Sequence, residues 1–329
     1  MPSPSPFRAP LAAALAFALV VAACSDQAVG TSMPPPGSAT TGCPASPAPE
    51  PAPAGWGSPS DSPSILPILI TSPVVCGPNR VLFSFVDTDN RPIATPDRSA
   101  SLAIYELGRN AESAIATVQG EFIWAIEDFS GVYVANLSFP SSGRYGAEFV
   151  TSTASAPSET IRMTFDVQPS SPVVRVGDPA PSSRTPTLAD VDGDVSRIST
   201  DDNPNPSFYE TSVDEALADH EPFVLIFATP KFCQTQQCGP TLDRIKPFAA
   251  RYPTVTFINV EPYKLKLVDG TLEADLDADQ QLQPVPTVDA WHLLYEPVVY
   301  VVDRVGTVQG AFDLIFGDAE LTAVLDKVK

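Results

Sequence analysis

Apolar residues in the C-terminal third of the chain follow two different periods. Residues 223–228 form a continuous apolar run, which is typical of a strand buried on both faces. Apolar positions then recur at helical spacing, so we predict a helix over residues 240–252. A second apolar run at residues 255–260 predicts another buried strand, and a short helix at residues 212–219 precedes the first strand.

The remaining pattern completes an α/β arrangement. Residues 287–294 predict a short helix, and residues 297–303 and 306–312 predict a hairpin with Gly306 at its bend. A closing helix is predicted at residues 318–328. The sequence therefore predicts an α/β domain over residues 209–329.

Residues 74–168 follow the period of two that strands require. Tyr133, Ala135 and Leu137 fall on one face of such a strand, and the runs are separated by turn residues. Short strands at this spacing predict an all-β antiparallel sandwich. It resembles the immunoglobulin-like domains of many bacterial envelope proteins, which implies a role in spacing or protein contact. Strands are predicted around residues 81–85, 101–107, 121–127, 131–139, 143–151 and 160–167.

The N-terminus has the pattern of an export signal. Arg8 precedes an apolar run at residues 11–23, which is too short to span a membrane. Small residues directly before Cys24 resemble the bacterial lipobox. This resemblance implies a signal peptide over residues 1–24 and a lipid on Cys24 that anchors the exported chain to the outer face of the cell membrane. An ordinary cleavable signal is the alternative.

Two segments have the composition of connectors. Residues 25–73 are dense in Pro, Ala, Ser and Gly, which predicts a disordered tether, and residues 169–208 predict an acidic linker. The 329-residue chain carries a net charge of −20. So acidic a surface argues against a nucleic-acid partner.

The five cysteines suggest two pairs. If Cys24 carries the lipid, four remain, and Cys233 and Cys238 are neighbours in sequence. Cys43 and Cys76 are then left as a candidate structural disulfide, with two free thiols as the alternative. An exported protein meets an oxidising compartment, where disulfides persist.

The pair Cys233 and Cys238 lies where the predicted strand turns into the helix. A cysteine at a helix N-terminus ionises more easily, because the first N–H groups and the helix dipole stabilise its thiolate. Two helical residues five positions apart are separated by about 7.5 Å, too far for an unstrained disulfide. We therefore expect Cys233 to lie outside the helix.

The C-terminal ~120 residues resemble a bacterial thioredoxin-like domain. The resemblance rests on the element order, the Phe227-Ala-Thr strand end, Gly239-Pro240 beside Cys238, and Glu296-Pro297 before an apolar strand. It implies that Pro297 is cis and packs against the cysteines. The chain departs from the family because four residues, not two, separate the cysteines.

The altered spacing leaves two alignments with the family. Counting from the strand end makes Cys233 the nucleophile and Cys238 the resolving cysteine. Matching Cys-Gly-Pro instead makes Cys238 the nucleophile, with Thr241 at the resolving position. We favour the first, because an insertion of residues in the loop disturbs the strand-to-turn length less.

The resemblance implies thiol–disulfide exchange with protein thiols or disulfides, with Cys233, Cys238 and Pro297 as the catalytic residues. The alternative is a protein-binding module whose disulfide only holds the loop. A third hypothesis is copper delivery through the two thiolates and His292, since soft thiolates and imidazole suit Cu(I). The favoured hypothesis requires no cofactor and no metal. The two histidines of the chain, His220 and His292, leave histidine-dependent hydrolysis little to work with.

Overall fold

The computed structural model describes residues 43–57 and 63–329. The predicted signal peptide and the predicted lipid on Cys24 lie outside these residues. Within them, no helix has both the length and the apolar character needed to cross a membrane.

Two facing sheets form the first part of the described chain. One sheet has the order β1-β8-β4-β5, with β9 also paired to β8, and the other has the order β2-β3-β7-β6. Every pairing in them is antiparallel except that of β1 with β8. The strands are β1 (Ala45–Ser46), β2 (Ile65–Leu69), β3 (Gly77–Asp87), β4 (Ser99–Glu106), β5 (Ala116–Gln119), β6 (Glu121–Ile126), β7 (Ser130–Phe139), β8 (Ser142–Ser152) and β9 (Glu159–Val167).

Alternation along the strands builds the core between the two sheets. Phe83, Tyr133 and Phe149 project into it from three different strands and are fully buried. The centroid of the Phe83 ring lies 5.3 Å from that of Tyr133 and 5.2 Å from that of Phe149. All six predicted strands are confirmed, from the one at residues 81–85 to the one at residues 160–167. The structure adds β5 between the second and third predicted strands.

The predicted tether differs from the structure in its described part. Residues 45–46 and 65–69 form β1 and β2, which extend one sheet each. Trp56 is buried against Tyr105, and its indole N–H donates to the carbonyl of Ala111. The composition is dominated by Pro, Ala, Ser and Gly, but Trp56 and both strands have partners on the sandwich, which order this part of the segment.

The candidate pair Cys43 and Cys76 forms a disulfide, with the two Cα atoms 6.1 Å apart. It joins the segment before β1 to the start of β3. Just beyond it, the Ser142 N–H donates to the Pro44 carbonyl at 3.0 Å. The disulfide therefore fixes the first described residues to the sandwich.

The second part contains a four-stranded sheet with the order β11-β10-β14-β15. Strand β10 is parallel to β11 and antiparallel to β14. The predicted order of strands and helices is confirmed, and the segment between the second predicted strand and the helix at residues 287–294 forms an additional hairpin, β12–β13. The elements are α1 (Val213–Ala218), β10 (Phe223–Phe227), α2 (Cys238–Arg251), β11 (Thr256–Val260), β12 (Leu265–Val268), β13 (Thr271–Ala274), α3 (Pro286–Trp291), β14 (Val298–Val302), β15 (Val308–Asp313) and α4 (Asp318–Val328).

Helices cover both faces of this sheet. Leu242 of α2 and Leu325 of α4 pack on the face that carries Val224. Trp291 of α3 packs on the other face, with its ring 4.6 Å from that of Tyr300. All five β10 residues are buried, as the continuous apolar run predicted. The fold class is thus a sheet-rich β part followed by an α/β part.

The segment predicted as an acidic linker is packed along the α/β part. Residues 188–209 include three short 3₁₀ turns. Phe208 is buried and stacks on Phe257, and Asp201 accepts an ion pair from Lys246 at 2.8 Å. Its acidic side chains suggested solvent exposure, but Thr185 and other small residues between them are buried and anchor the segment.

An apolar contact joins the two parts. Ile315, just after β15, is buried together with Leu82 and Val132 on the outer face of the β2-β3-β7-β6 sheet. Beside it, Arg80 of β3 makes two hydrogen bonds to Glu320 of α4, at 2.8 and 2.9 Å. Burial raises the pKa of Glu320, but the hydrogen bonds and charge of Arg80 outweigh it and hold that pKa below its usual value.

Candidate functional site

Cys233 and Cys238 form a disulfide at the end of β10, with their Cα atoms 6.0 Å apart. Strand β10 ends at Phe227, a loop carries Cys233, and α2 begins at Cys238. The expectation that Cys233 lies outside the helix is therefore confirmed. The buried strand β10 and the buried first residue of α2 fix the two ends of this loop.

The two sulfurs differ in their surroundings. Cys238 is fully buried, whereas Cys233 is partly exposed. The backbone N–H of Cys238 donates to the Cys233 sulfur over 3.2 Å. A first-turn N–H aimed at this sulfur, together with the helix dipole, favours a negative charge on Cys233 when the bond is open.

Pro297 lies directly before β14 and follows Glu296, which reaches the cysteine pair. Its peptide bond with Glu296 is cis, as predicted. One carboxylate oxygen of Glu296 and the two sulfur atoms all lie within 4.8 Å of one another. The structure thus brings the segment of Pro297 to the disulfide and adds a carboxylate that the sequence analysis did not include.

Hydrogen bonds hold Glu296 in this position. The backbone N–H of Gln234 donates to Oε1 at 2.9 Å, and the Tyr263 hydroxyl donates to Oε2 at 2.7 Å. The Thr235 hydroxyl donates to the Glu296 carbonyl at 2.9 Å. Burial, followed by the hydrogen bond to Glu296 and its charge, raises the pKa of Tyr263 well above its usual value. The loop between the cysteines is therefore bonded to the residue before Pro297.

The first part of the chain contributes to the site through a small cavity. Thr235 and Gln237 of the loop line a cavity of about 190 Å³ together with Leu82 and Val132 of the sandwich. Thr235 is also 3.4 Å from the Cys233 sulfur through its hydroxyl. The disulfide loop therefore faces the sandwich on one side.

Glu261, directly after β11, is a second buried carboxylate in the α/β part. It accepts hydrogen bonds from the Thr200 N–H at 2.6 Å and the Thr200 hydroxyl at 2.8 Å. Burial raises the pKa of Glu261 to about 7, and hydrogen bonds from Thr229 and Thr200 offset that effect only in part. Glu261 is outside the three-residue group formed by the cysteines and Glu296.

His292, the residue of the copper hypothesis, is also outside that group. It follows the last residue of α3 in a left-handed conformation, and it is exposed. Its backbone N–H donates to the Asp289 carbonyl at 3.2 Å, which closes the helix. His292 therefore lies at the end of α3, and it is not among the residues whose donor atoms surround the two sulfurs.

Sequence reasoning missed Glu296, Tyr263 and the two loop residues that bond to Glu296. One signal was present, since Glu296 directly precedes Pro297 and the resemblance placed Pro297 at the cysteines. Tyr263 carried no such signal, because it reaches the site from the end of β11. Comparisons with protein-family models, with curated proteins and with solved structures found no match.

Proposed function

We propose that this protein is a thioredoxin-like thiol–disulfide exchange protein that acts on a protein partner outside the cytoplasm. The observation that carries the proposal is the pair itself: a partly exposed Cys233 sulfur that receives the N–H of a buried Cys238 at the start of α2. The element order of residues 209–329 and the cis peptide at Pro297 support the thioredoxin-like assignment. The sandwich is the proposed immunoglobulin-like spacer.

The exchange would proceed at the more exposed sulfur. A partner thiolate attacks the Cys233 sulfur, forms a mixed disulfide, and expels the Cys238 thiolate. A second partner thiolate then attacks the partner sulfur of the mixed disulfide and releases the Cys233 thiolate. The partner loses two electrons and gains a disulfide, and the protein is left as the dithiol. The reverse sequence reduces a partner disulfide, with Cys233 attacking and Cys238 resolving.

Anchoring through a lipid on Cys24 would hold this chemistry at the outer face of the cell membrane. The proposal rests on the small residues before Cys24 and on the apolar run that precedes them. Mass spectrometry of the mature protein isolated from membranes tests it. The expected result is an N-terminal Cys24 that carries acyl chains, and an unmodified N-terminus elsewhere in the chain would contradict it.

Single Cys233→Ser and Cys238→Ser variants test the exchange. Turnover of a protein disulfide substrate should fall at least 100-fold in both. The Cys233→Ser variant should form no mixed disulfide with the substrate, whereas Cys238→Ser should accumulate one. Wild-type turnover in both variants would refute the proposal.

The second candidate function is a protein-binding module whose disulfide only holds the loop. The hydrogen bonds from Gln234 and Thr235 to Glu296 favour it, because they fix the same loop that the disulfide closes. The reduction potential of the pair separates the two candidates. A value far below about −300 mV marks a stable structural bond, whereas a higher value marks an exchanging pair.

A further inference from the structure

We propose that the reduced protein binds a thiophilic divalent cation, with Zn²⁺ as the best fit, through Cys233, Cys238 and Glu296. Three donor atoms from these residues lie within 4.8 Å of one another. They come from the loop after β10, the start of α2 and the residue before Pro297, so the fold brings a carboxylate to two cysteines that are distant from it in the sequence. This inference does not rest on the proposed exchange activity.

The donor set and its spacing match a three-ligand zinc site. Zinc takes sulfur ligands at about 2.3 Å and carboxylate oxygens at about 2.0–2.2 Å in tetrahedral geometry. Such bonds separate two sulfurs by about 3.8 Å and a sulfur from an oxygen by about 3.5 Å. With Cα atoms 6.0 Å apart, side-chain rotation alone brings the two freed sulfurs to that separation. The partly exposed side of Cys233 leaves the fourth position to water.

The charge around Glu296 favours a cation. The side chain is 4% exposed, and within the part of the chain that the structure describes it makes no ion pair with lysine or arginine. Its hydrogen bonds come from a backbone N–H and a neutral hydroxyl. Two thiolates beside this carboxylate would bring three negative charges together, which is costly in a buried position without a positive partner.

The neighbours of Glu296 orient it as a metal ligand. Tyr263 and Gln234 each occupy one lone pair of a carboxylate oxygen, and further lone pairs stay free. Outer hydrogen bonds of this kind fix the orientation of ligands at metal sites and raise the affinity for the metal. Tyr263 would therefore position Glu296 without touching the metal.

The site exists in one redox state. The disulfide has no thiolate to offer, so the oxidised protein should bind no Zn²⁺ at this position. A thiol reductant first supplies the two electrons that open the disulfide and is itself oxidised to a disulfide. The two protein thiols then lose their protons to solvent as two S–Zn bonds form, and this second step transfers no electrons. Bound Zn²⁺ would thereby stabilise the dithiol and slow its reoxidation.

Equilibrium dialysis of the full chain against Zn²⁺ without oxygen tests the inference. The sample is protein in which thiol labelling shows that Cys233 and Cys238 are reduced, and the oxidised protein is the reference. We expect one Zn²⁺ per reduced chain with micromolar or tighter affinity, and at least tenfold weaker binding in Glu296→Gln. Thiol reoxidation rates with and without Zn²⁺ provide a second readout.

Two variants serve as controls. Glu261→Gln removes a buried carboxylate that lies outside the proposed site and should retain wild-type affinity within threefold. Cys233→Ser keeps every other cysteine and should lose the bound ion, which excludes Cys43 and Cys76 as its ligands. Equal Zn²⁺ retention by reduced and oxidised protein, or unchanged affinity in Glu296→Gln, would overturn the inference. Either result would leave the turnover assay of the exchange activity unaffected.

Discussion

Removing the Cys43–Cys76 disulfide should destabilise the protein more than removing Cys233–Cys238. The bonds span sequence separations of 33 and 5 residues. In the chain-entropy model, a bond that closes a longer loop removes more entropy from the unfolded state. The same relation gives about 4 kcal/mol for the first bond and about 2 kcal/mol for the second at 25 °C.

Urea unfolding of the paired variants Cys43→Ala/Cys76→Ala and Cys233→Ala/Cys238→Ala measures the two contributions by linear extrapolation. Hydrogen exchange at the Ser142 amide provides a local readout, because this N–H donates to Pro44 next to the first disulfide. Exchange there should accelerate in the first variant and stay unchanged in the second. A smaller loss of unfolding free energy in the first variant than in the second would refute the reasoning.

Three further predictions concern buried groups. Arg80→Met should cost about 2 kcal/mol at pH 7, because it leaves the largely buried Glu320 carboxylate unpaired. The pKa of Glu320 is lowered in the folded state, so this stabilisation is fully present above its ordinary pKa of 4.5 and is lost as the pH falls through the folded value. In urea unfolding, the difference between wild type and Arg80→Met should therefore shrink as the pH is lowered from 4.5, and a difference that stays constant would contradict this. The pKa of Glu261 is raised to about 7 in the folded state, so the unfolded state releases this proton first as the pH rises. The free energy of unfolding of the wild type should therefore decline between about pH 4.5 and 7. Glu261→Gln should remove up to about 3 kcal/mol of that decline, and a variant with the wild-type pH profile would contradict this. Gly146→Ala places a methyl group against the Trp56 ring and should cost about 1–3 kcal/mol with a red shift of Trp56 fluorescence, whereas an unchanged spectrum and stability would show that the ring is not held there.

The sequence predicted the regular elements where one segment carries its own signal. The apolar run of β10, the helical spacing in α2 and the alternation in β7 each depend on residues close together in the chain, and the structure has these elements at the predicted places. Elements that depend on distant partners were missed. The two residues of β1 form a strand only because β8 lies beside them.

The candidate site divides in the same way. Cys233, Cys238 and Pro297 were evident from the motif and the resemblance. The role of Glu296 depends on bonds from Tyr263 and Gln234, and these meet only when the end of β11, the cysteine loop and the start of β14 are adjacent. No local sequence pattern encodes that adjacency. The position of Glu296 beside Pro297 was a sequence signal, but the bonds that hold its carboxylate beside the sulfurs are evident only in the folded chain.

The apolar contact between Ile315 and the sandwich means that the boundary in sequence at residue 209 is not a boundary in energy. A fragment beginning there would expose Ile315 to water and leave Glu320 without Arg80. It would also lose the carbonyl of Trp124, to which Arg244 donates at 3.0 Å. The stability and the reduction potential measured on such a fragment would therefore not be those of the full chain, because the disulfide loop would no longer face the sandwich.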